Sequence, residues 1–174
     1  MFAVESLILY NKGCKVFHPR FGAGIVEKIG MDDPGTQLCY HIRYIWDKSL
    51  SFTPMDNVVR IGLRKVITPE ECLRVLEEMT RFPSPLDVPW RLQKEFLHAE
   101  ICRGDPFTNA SLWNRLNSKN KKDRSVVEIS YLNLLTKLLF SELALARDME
   151  ISEVEKEVQE LYERNRGAQY FHRF

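Results

Sequence analysis

The chain is poor in the residues that mark special classes of protein. Its four cysteines, Cys14, Cys39, Cys72 and Cys102, form no Cys-x-x-Cys pair, and its four histidines, His18, His41, His98 and His172, are as scattered. That spacing argues against structural zinc and leaves buried reduced thiols as the expected state. No unbroken apolar run approaches the roughly 18 to 20 residues of a bilayer span, and the start lacks a basic region, apolar core and cleavage site in sequence. A cytoplasmic protein with no membrane partner is expected. Eight glycines and eight prolines in 174 residues are too few for a disordered tail or a fibre. Charge of one sign is also missing: 25 basic and 24 acidic side chains leave a net charge of +1, so composition alone announces no nucleic-acid partner.

Catalytic motifs are absent too. The sequence has no GxSxG, no phosphate loop ending in Gly-Lys-Ser/Thr, no GxGxxG and no HExxH. The acidic neighbours Glu77-Glu78 and Asp32-Asp33 do not converge on one point. No enzyme activity, cofactor or metal is expected, and a cysteine-dependent enzyme is the weakest of the readings.

What is present is a change of hydrophobic period along the chain, which predicts two domains, residues 1–66 and 67–174. The first reads as strands. Cys14 to His18 is a short run ended by Pro19, and Ala23 to Ile29 is closed by Gly30. The turn residues Asp32-Asp33-Pro34-Gly35 lead into an alternation that places Leu38, Tyr40, Ile42, Tyr44 and Trp46 opposite Cys39, His41, Arg43 and Ile45. Asp47-Lys48 is the next turn, and Leu50 to Thr53 a last strand stopped by Pro54. Short, closely spaced strands with glycine-marked bends predict a small antiparallel sheet curled into a barrel.

From Thr68 the period is helical. Thr68-Pro69-Glu70-Glu71 supplies an N-cap, a first-turn proline and a capping-box glutamate. After Pro83, Pro85 and Pro89 a second helix should begin near Val88 to Trp90 and stop at Gly104. Asp105-Pro106 starts a third, with Phe107, Ala110, Trp113 and Leu116 on one stripe. Ser125/Glu128 and Ser152/Glu155 repeat the capping-box spacing, predicting a long apolar helix to about Met149 and a last one to about Asn165. The fold class is therefore α+β: a small β-barrel, then an all-α bundle.

Three features bear on function, each with a plainer alternative. Trp90 opens a helix beside Arg91 and Lys94, which suits an indole inserted at a distorted DNA step with cations on phosphates; a tryptophan capping the end of a bundle is commoner. Arg115, Lys119, Lys121, Lys122 and Arg124 crowd one segment against the single acid Asp123 and suit a phosphate backbone, although such loops are usually just solvated. The last strand carries Phe52 and no charge, so its edge is open to extension by another protein's strand unless the barrel closes or the tail helix covers it.

The segment Gly13 to Ile29, with Val16-Phe17-His18-Pro19-Arg20-Phe21-Gly22-Ala23-Gly24 at its centre, resembles the opening of the CarD/CdnL family of bacterial transcription regulators. Pro54, the run Ile61 to Val66, Trp90, Gly104-Asp105 and Leu143-Ala144-Leu145-Ala146 follow in the family's order. The resemblance spans roughly residues 10–165 and implies a Tudor-like or SH3-like domain that docks on the β subunit of RNA polymerase, here through Asp32, Arg43, Lys48, Leu50, Phe52 and Pro54. It further implies a helical domain that reaches promoter DNA at the upstream edge of the melted bubble with little base specificity. Trp90 matches the family's wedge tryptophan and Arg91 and Lys94 its backbone contacts, while Arg115 to Arg124 are this chain's own candidate for further DNA contact. The chain departs from its relatives at Leu92, Gln93 and Glu95, where they are more basic, at Asp32 and Phe52, where some carry arginine, and in its longer apolar start, Met1 to Lys12. A monomer that stabilises the open promoter complex is the implied function. The alternative is an interaction adaptor that never touches DNA.

Overall fold

The computed structural model describes residues 10–32, 35–83 and 88–171, with side chains at all of these except Trp90 and 166–171. The apolar start up to Leu9, the turn residues Asp33 and Pro34, Pro85 and His172 lie outside the described residues.

Five strands form one antiparallel sheet: β1 (Lys15–His18), β2 (Gly22–Met31), β3 (Leu38–Tyr44), β4 (Leu50–Pro54) and β5 (Arg64–Lys65), in the order β4-β3-β2-β1-β5. The expected barrel is not closed. Closure requires β4 to pair with β5, but β5 is two residues long, and after Pro54 the chain leaves the edge in a single 3-10 turn, Met55–Asn57. The outer face is sealed by packing instead. Val16, Val26, Tyr40, Ile42 and Tyr44 bury against Tyr10, Val58 and Leu63. Tyr10 is fixed at both ends: its backbone N–H donates to Tyr40 Oη (3.1 Å) and its hydroxyl to the Leu63 carbonyl (3.0 Å). Glu27 falls in a bulge where the pairing of β2 with β3 shifts between Val26 and Lys28, a device that bends a strand. β3 ends at Tyr44, two residues before the alternation does.

The helices are α1 (Pro69–Thr80), α2 (Gln93–Cys102), α3 (Pro106–Ser118), α4 (Val126–Arg147) and α5 (Ile151–Phe171). Three start as the sequence dictates. Thr68 and Ser125 close capping boxes with Glu71 and Glu128, and Asp105 caps α3 through the Thr108 N–H. Gly104, with φ of 69°, ends α2 in the left-handed conformation that glycine adopts without strain. Two boundaries differ. Asp148 turns left-handed and ends α4 at Arg147, and α5 then begins three residues on, with the Glu150 N–H donating to the Glu153 carboxylate (2.8 Å). The cap expected of Ser152 and Glu155 is thus made two residues earlier. α5 also runs past Asn165, to Phe171.

α4 is both the centre of the bundle and the floor of the sheet's inner face. Leu135, Leu138, Leu139 and Leu143 bury among α1, α3 and α5, together with Phe17 from β1, and more than half of its most apolar stretch is enclosed by the protein. On its sheet-facing side Ser141 Oγ accepts the Ala23 N–H (3.0 Å), Lys137 pairs with Asp47 (2.9 Å), and Asp148, just past its end, pairs with Lys15 (2.6 Å). Two cores, one on each side of the sheet, share that sheet as a common wall.

Candidate functional site

β4 is an edge strand whose pairing partner is β3. The pleat divides its side chains. Ser51 and Thr53 turn to the sealed face, where Ser51 Oγ meets Tyr44 Oη at 3.0 Å, while Leu50, Phe52 and Pro54 share the opposite face. Phe52 is 46% exposed and Leu50 37%. The Phe52 ring stands edge-on to buried His41, 4.6 Å between centroids, and His41 Nε2 lies 3.3 Å from the Met31 carbonyl. This rigid backing fixes the phenyl while its other side remains in water. The tail helix does not cover the edge, for α5 packs on α4 and α1.

Two of the polar residues assigned to the same surface, Arg43 and Asp32, are occupied locally. Arg43 donates to Glu27 (3.0 Å) and to the Lys48 carbonyl (2.9 Å). Asp32 accepts from the N–H groups of Thr36 and Gln37 and from the Thr36 hydroxyl, bonds that hold its carboxyl below the usual range and build the turn after β2. Lys48 is exposed in the β3–β4 turn at a φ of 58°. Of the six residues assigned here, Leu50, Phe52 and Pro54 form the contiguous surface.

At the bundle, Trp90 to Leu92 form one 3-10 turn that runs straight into α2. The Leu92 N–H donates to the Pro89 carbonyl (2.8 Å), and no side chain caps the helix. The indole of Trp90 lies outside the described residues. Arg91 and Lys94 are exposed, as is Leu92 at 57%. Tyr131 of α4 donates its hydroxyl to the Lys94 carbonyl (3.3 Å), which sets the start of α2 beside the second turn of α4.

The basic segment ends at the same helix. Lys119 forms an ion pair with Glu128; burial pushes that carboxyl up, but Lys119 and the Ser125 N–H outweigh it and hold it below its ordinary range. Arg124 donates to the carbonyls of Asn117 (2.7 Å) and Lys119 (2.8 Å), tying the loop together, and Arg115 is half-buried in the last turn of α3. Lys121 and Lys122 stand exposed on a single 3-10 turn. The first two turns of α4 thus bring Arg91 and Lys94 to the same end of the bundle as Lys121 and Lys122. Lys119 and Arg124 serve mainly to hold the segment in place.

Two arrangements went unread in the sequence. Arg64, which the sequence places only in the run Ile61 to Val66, is a structural side chain facing buried Glu142. Cys102, expected to be buried, is exposed, with Sγ 3.6 Å from His98 Nε2 one helical turn away; the spacing His98-x-x-x-Cys102 was the available signal. Among the described residues no three metal-ligating side chains cluster. Neither family models nor curated proteins match the chain.

Proposed function

We propose that this protein is a transcription regulator of the CarD/CdnL type, joining the β subunit of bacterial RNA polymerase to promoter DNA and prolonging the life of the open complex. The observation that carries the reading is the β4 edge, which pairs with no further strand among the described residues, with Leu50 and Phe52 presented beside it. A short strand with unused backbone groups and a fixed phenyl is a surface onto which another sheet adds its own strand, backbone bonds supplying affinity and the side chains specificity. The five-stranded sheet takes the part of the family's Tudor-like module.

The 3-10 turn at Trp90 and the exposed cations Arg91, Lys94, Lys121 and Lys122 take the part of the DNA-facing end. Cations on phosphates position without reading sequence, and a wedge at a melting step reads deformability, so base specificity is low. A wedge that fits only the distorted junction favours the open form by its difference in affinity, tenfold for about 1.4 kcal/mol.

One observation favours the adaptor reading: Lys119 and Arg124 are engaged within the protein, which leaves fewer cations for phosphates than the sequence offers. Capture of polymerase by the full chain and by Phe52→Glu addresses the sheet in both readings, and DNA cross-linking within the captured complex separates them. The proposal expects capture that Phe52→Glu weakens and cross-links at the Trp90 end. Loss of capture, or capture without cross-links, supports the adaptor. The full chain is required because the inner face of the sheet, with Phe17, is buried on the bundle.

A further inference from the structure

We propose that β4 pairs with the β4 of a second copy of this chain, the strands running antiparallel about a twofold axis at Phe52, and that this self-association withdraws the same edge from polymerase. The backbone decides what the edge offers. The Tyr44 N–H donates to the Ser49 carbonyl (2.9 Å), and these two residues stand opposite each other in the register that sets Arg43 against Leu50. Bonded and non-bonded pairs alternate along an antiparallel ladder, so Ser51 and Thr53 also turn their backbone groups toward β3. Leu50, Phe52 and Pro54 turn theirs outward, where no further strand stands among the described residues.

That inventory is self-complementary. With Phe52 opposite its own copy, the two phenylalanines exchange both of their backbone bonds, and each Leu50 N–H donates to the Pro54 carbonyl of the other chain. Proline has no N–H to leave unpaired, so every outward donor of the two strands finds an acceptor. The side chains follow. Leu50, Phe52 and Pro54 share one face, His41 backs one side of the Phe52 ring, and Phe52 and Leu50 remain 46% and 37% exposed. Pairing sets the two phenyl rings side by side and Leu50 beside Pro54, which covers the surface that a single chain leaves in water.

Charge selects an identical strand and its direction. β4 carries no charged residue of the kind that keeps like edges apart. Lys48 and Asp56, both exposed, lie four residues before and four after Phe52. Antiparallel pairing brings the Lys48 turn of each copy to the Asp56 turn of the other, whereas parallel pairing would set like charges together. Neighbouring polar groups are engaged within the chain: Lys137 holds Asp47 at 2.9 Å, and Arg60 donates to Asn57. Five residues a side, against the roughly 20 to 30 of a lasting interface, make the association reversible. A twofold contact of this kind closes on itself and stops at two copies. The pairing rests on the geometry of the edge; only its competition with polymerase rests on the proposed function.

Sedimentation equilibrium of the full chain under reducing conditions, from micromolar to millimolar concentration, tests the pairing. The proposal expects a monomer–dimer equilibrium with a dissociation constant on the order of 0.1 mM, weakened about tenfold or more in Phe52→Glu, which sets two carboxylates face to face. Lys48→Glu and Asp56→Lys should each weaken it, and the two together should restore it, a rescue that unspecific hydrophobic contact does not give. A chain that stays monomeric at millimolar concentration, a dimer that Phe52→Glu leaves intact, or a charge exchange without rescue overturns it. Polymerase added to the dimer should form complexes that hold one copy of the chain, and two copies per polymerase would overturn the competition. Because sedimentation of the chain alone involves no polymerase, failure of the dimer and failure of the proposed function are distinguishable.

Discussion

Arg64 of β5 and Glu142 of α4 meet as a bidentate pair, with Arg64 Nη2 donating to Glu142 Oε2 at 3.0 Å and Nη1 to Oε1. The same guanidinium donates to the Gly104 carbonyl from Nη2 (2.9 Å) and Nε (3.2 Å) and lies 4.1 Å over the Phe17 ring. Glu142 also accepts the Ile67 N–H at 3.1 Å. Sheet, α2–α3 junction and α4 are thereby joined at one point, and the carboxylate, 1% exposed, has no water to replace a lost partner.

Removing one half of that pair should be costly. Burial pushes the Glu142 carboxyl up, while Arg64 and the Ile67 N–H pull it down; burial prevails. Arg64→Ala leaves a buried acid with one remaining donor and should lower unfolding free energy by about 3 kcal/mol. Glu142→Gln, which keeps the shape and loses the charge, should still weaken the pair. Urea titration of both variants at neutral pH checks this, and an Arg64→Ala loss well below 1 kcal/mol would show that the pair does not hold sheet to bundle.

Gly22 should tolerate no side chain. Its φ is 86°, and an added Cβ would stand 2.5 Å from Ser141 Oγ. Gly22→Ala therefore strains the backbone and displaces the hydroxyl that accepts the Ala23 N–H. A loss of about 2 to 3 kcal/mol is expected. Adding Ser141→Ala should not restore stability, because the positive φ persists and the Ala23 N–H is left without an acceptor. Thermal unfolding of the single and double variants reads this directly.

Stability should fall as the solution is acidified below pH 6.5. Burial, with a smaller contribution from Arg20, lowers the His18 pKa to about 4, and its Nδ1 accepts the Arg20 N–H at 3.0 Å. Between pH 6.5 and 4 the unfolded chain binds the proton and the folded one does not, so stability declines through that window, by at most about 3 kcal/mol because solvent screens the partly exposed ring. His18→Gln keeps an acceptor and cannot titrate; its unfolding free energy should be nearly flat between about pH 6.5 and 5, above the range where the depressed carboxyls begin to titrate. Equal slopes for the two proteins would assign the acid loss to other groups.

Much of this architecture was legible because local chemistry decided it. Thr68-Pro69-Glu71, Ser125 with Glu128, and Asp105-Pro106 name their helix starts outright, since the cap bonds lie within four residues. What the sequence hid depends on distant partners. β5 is too short to alternate, so nothing in the sequence marks Arg64 as the partner of Glu142, 78 residues away. Barrel closure failed for the same reason. At the candidate site, Leu50 and Phe52 were readable as an uncharged edge, but the internal duties of Lys119 and Arg124 were not, because their acceptors are backbone carbonyls and a cap glutamate that only the folded loop brings near.

The most direct test of the account is the lifetime of the open promoter complex with wild-type protein and with Trp90→Ala, each at a concentration that saturates polymerase. The account predicts that the variant still binds polymerase while the lifetime falls roughly tenfold toward its value without the protein, equivalent to about 1.4 kcal/mol. An unchanged lifetime with Trp90→Ala bound would contradict it.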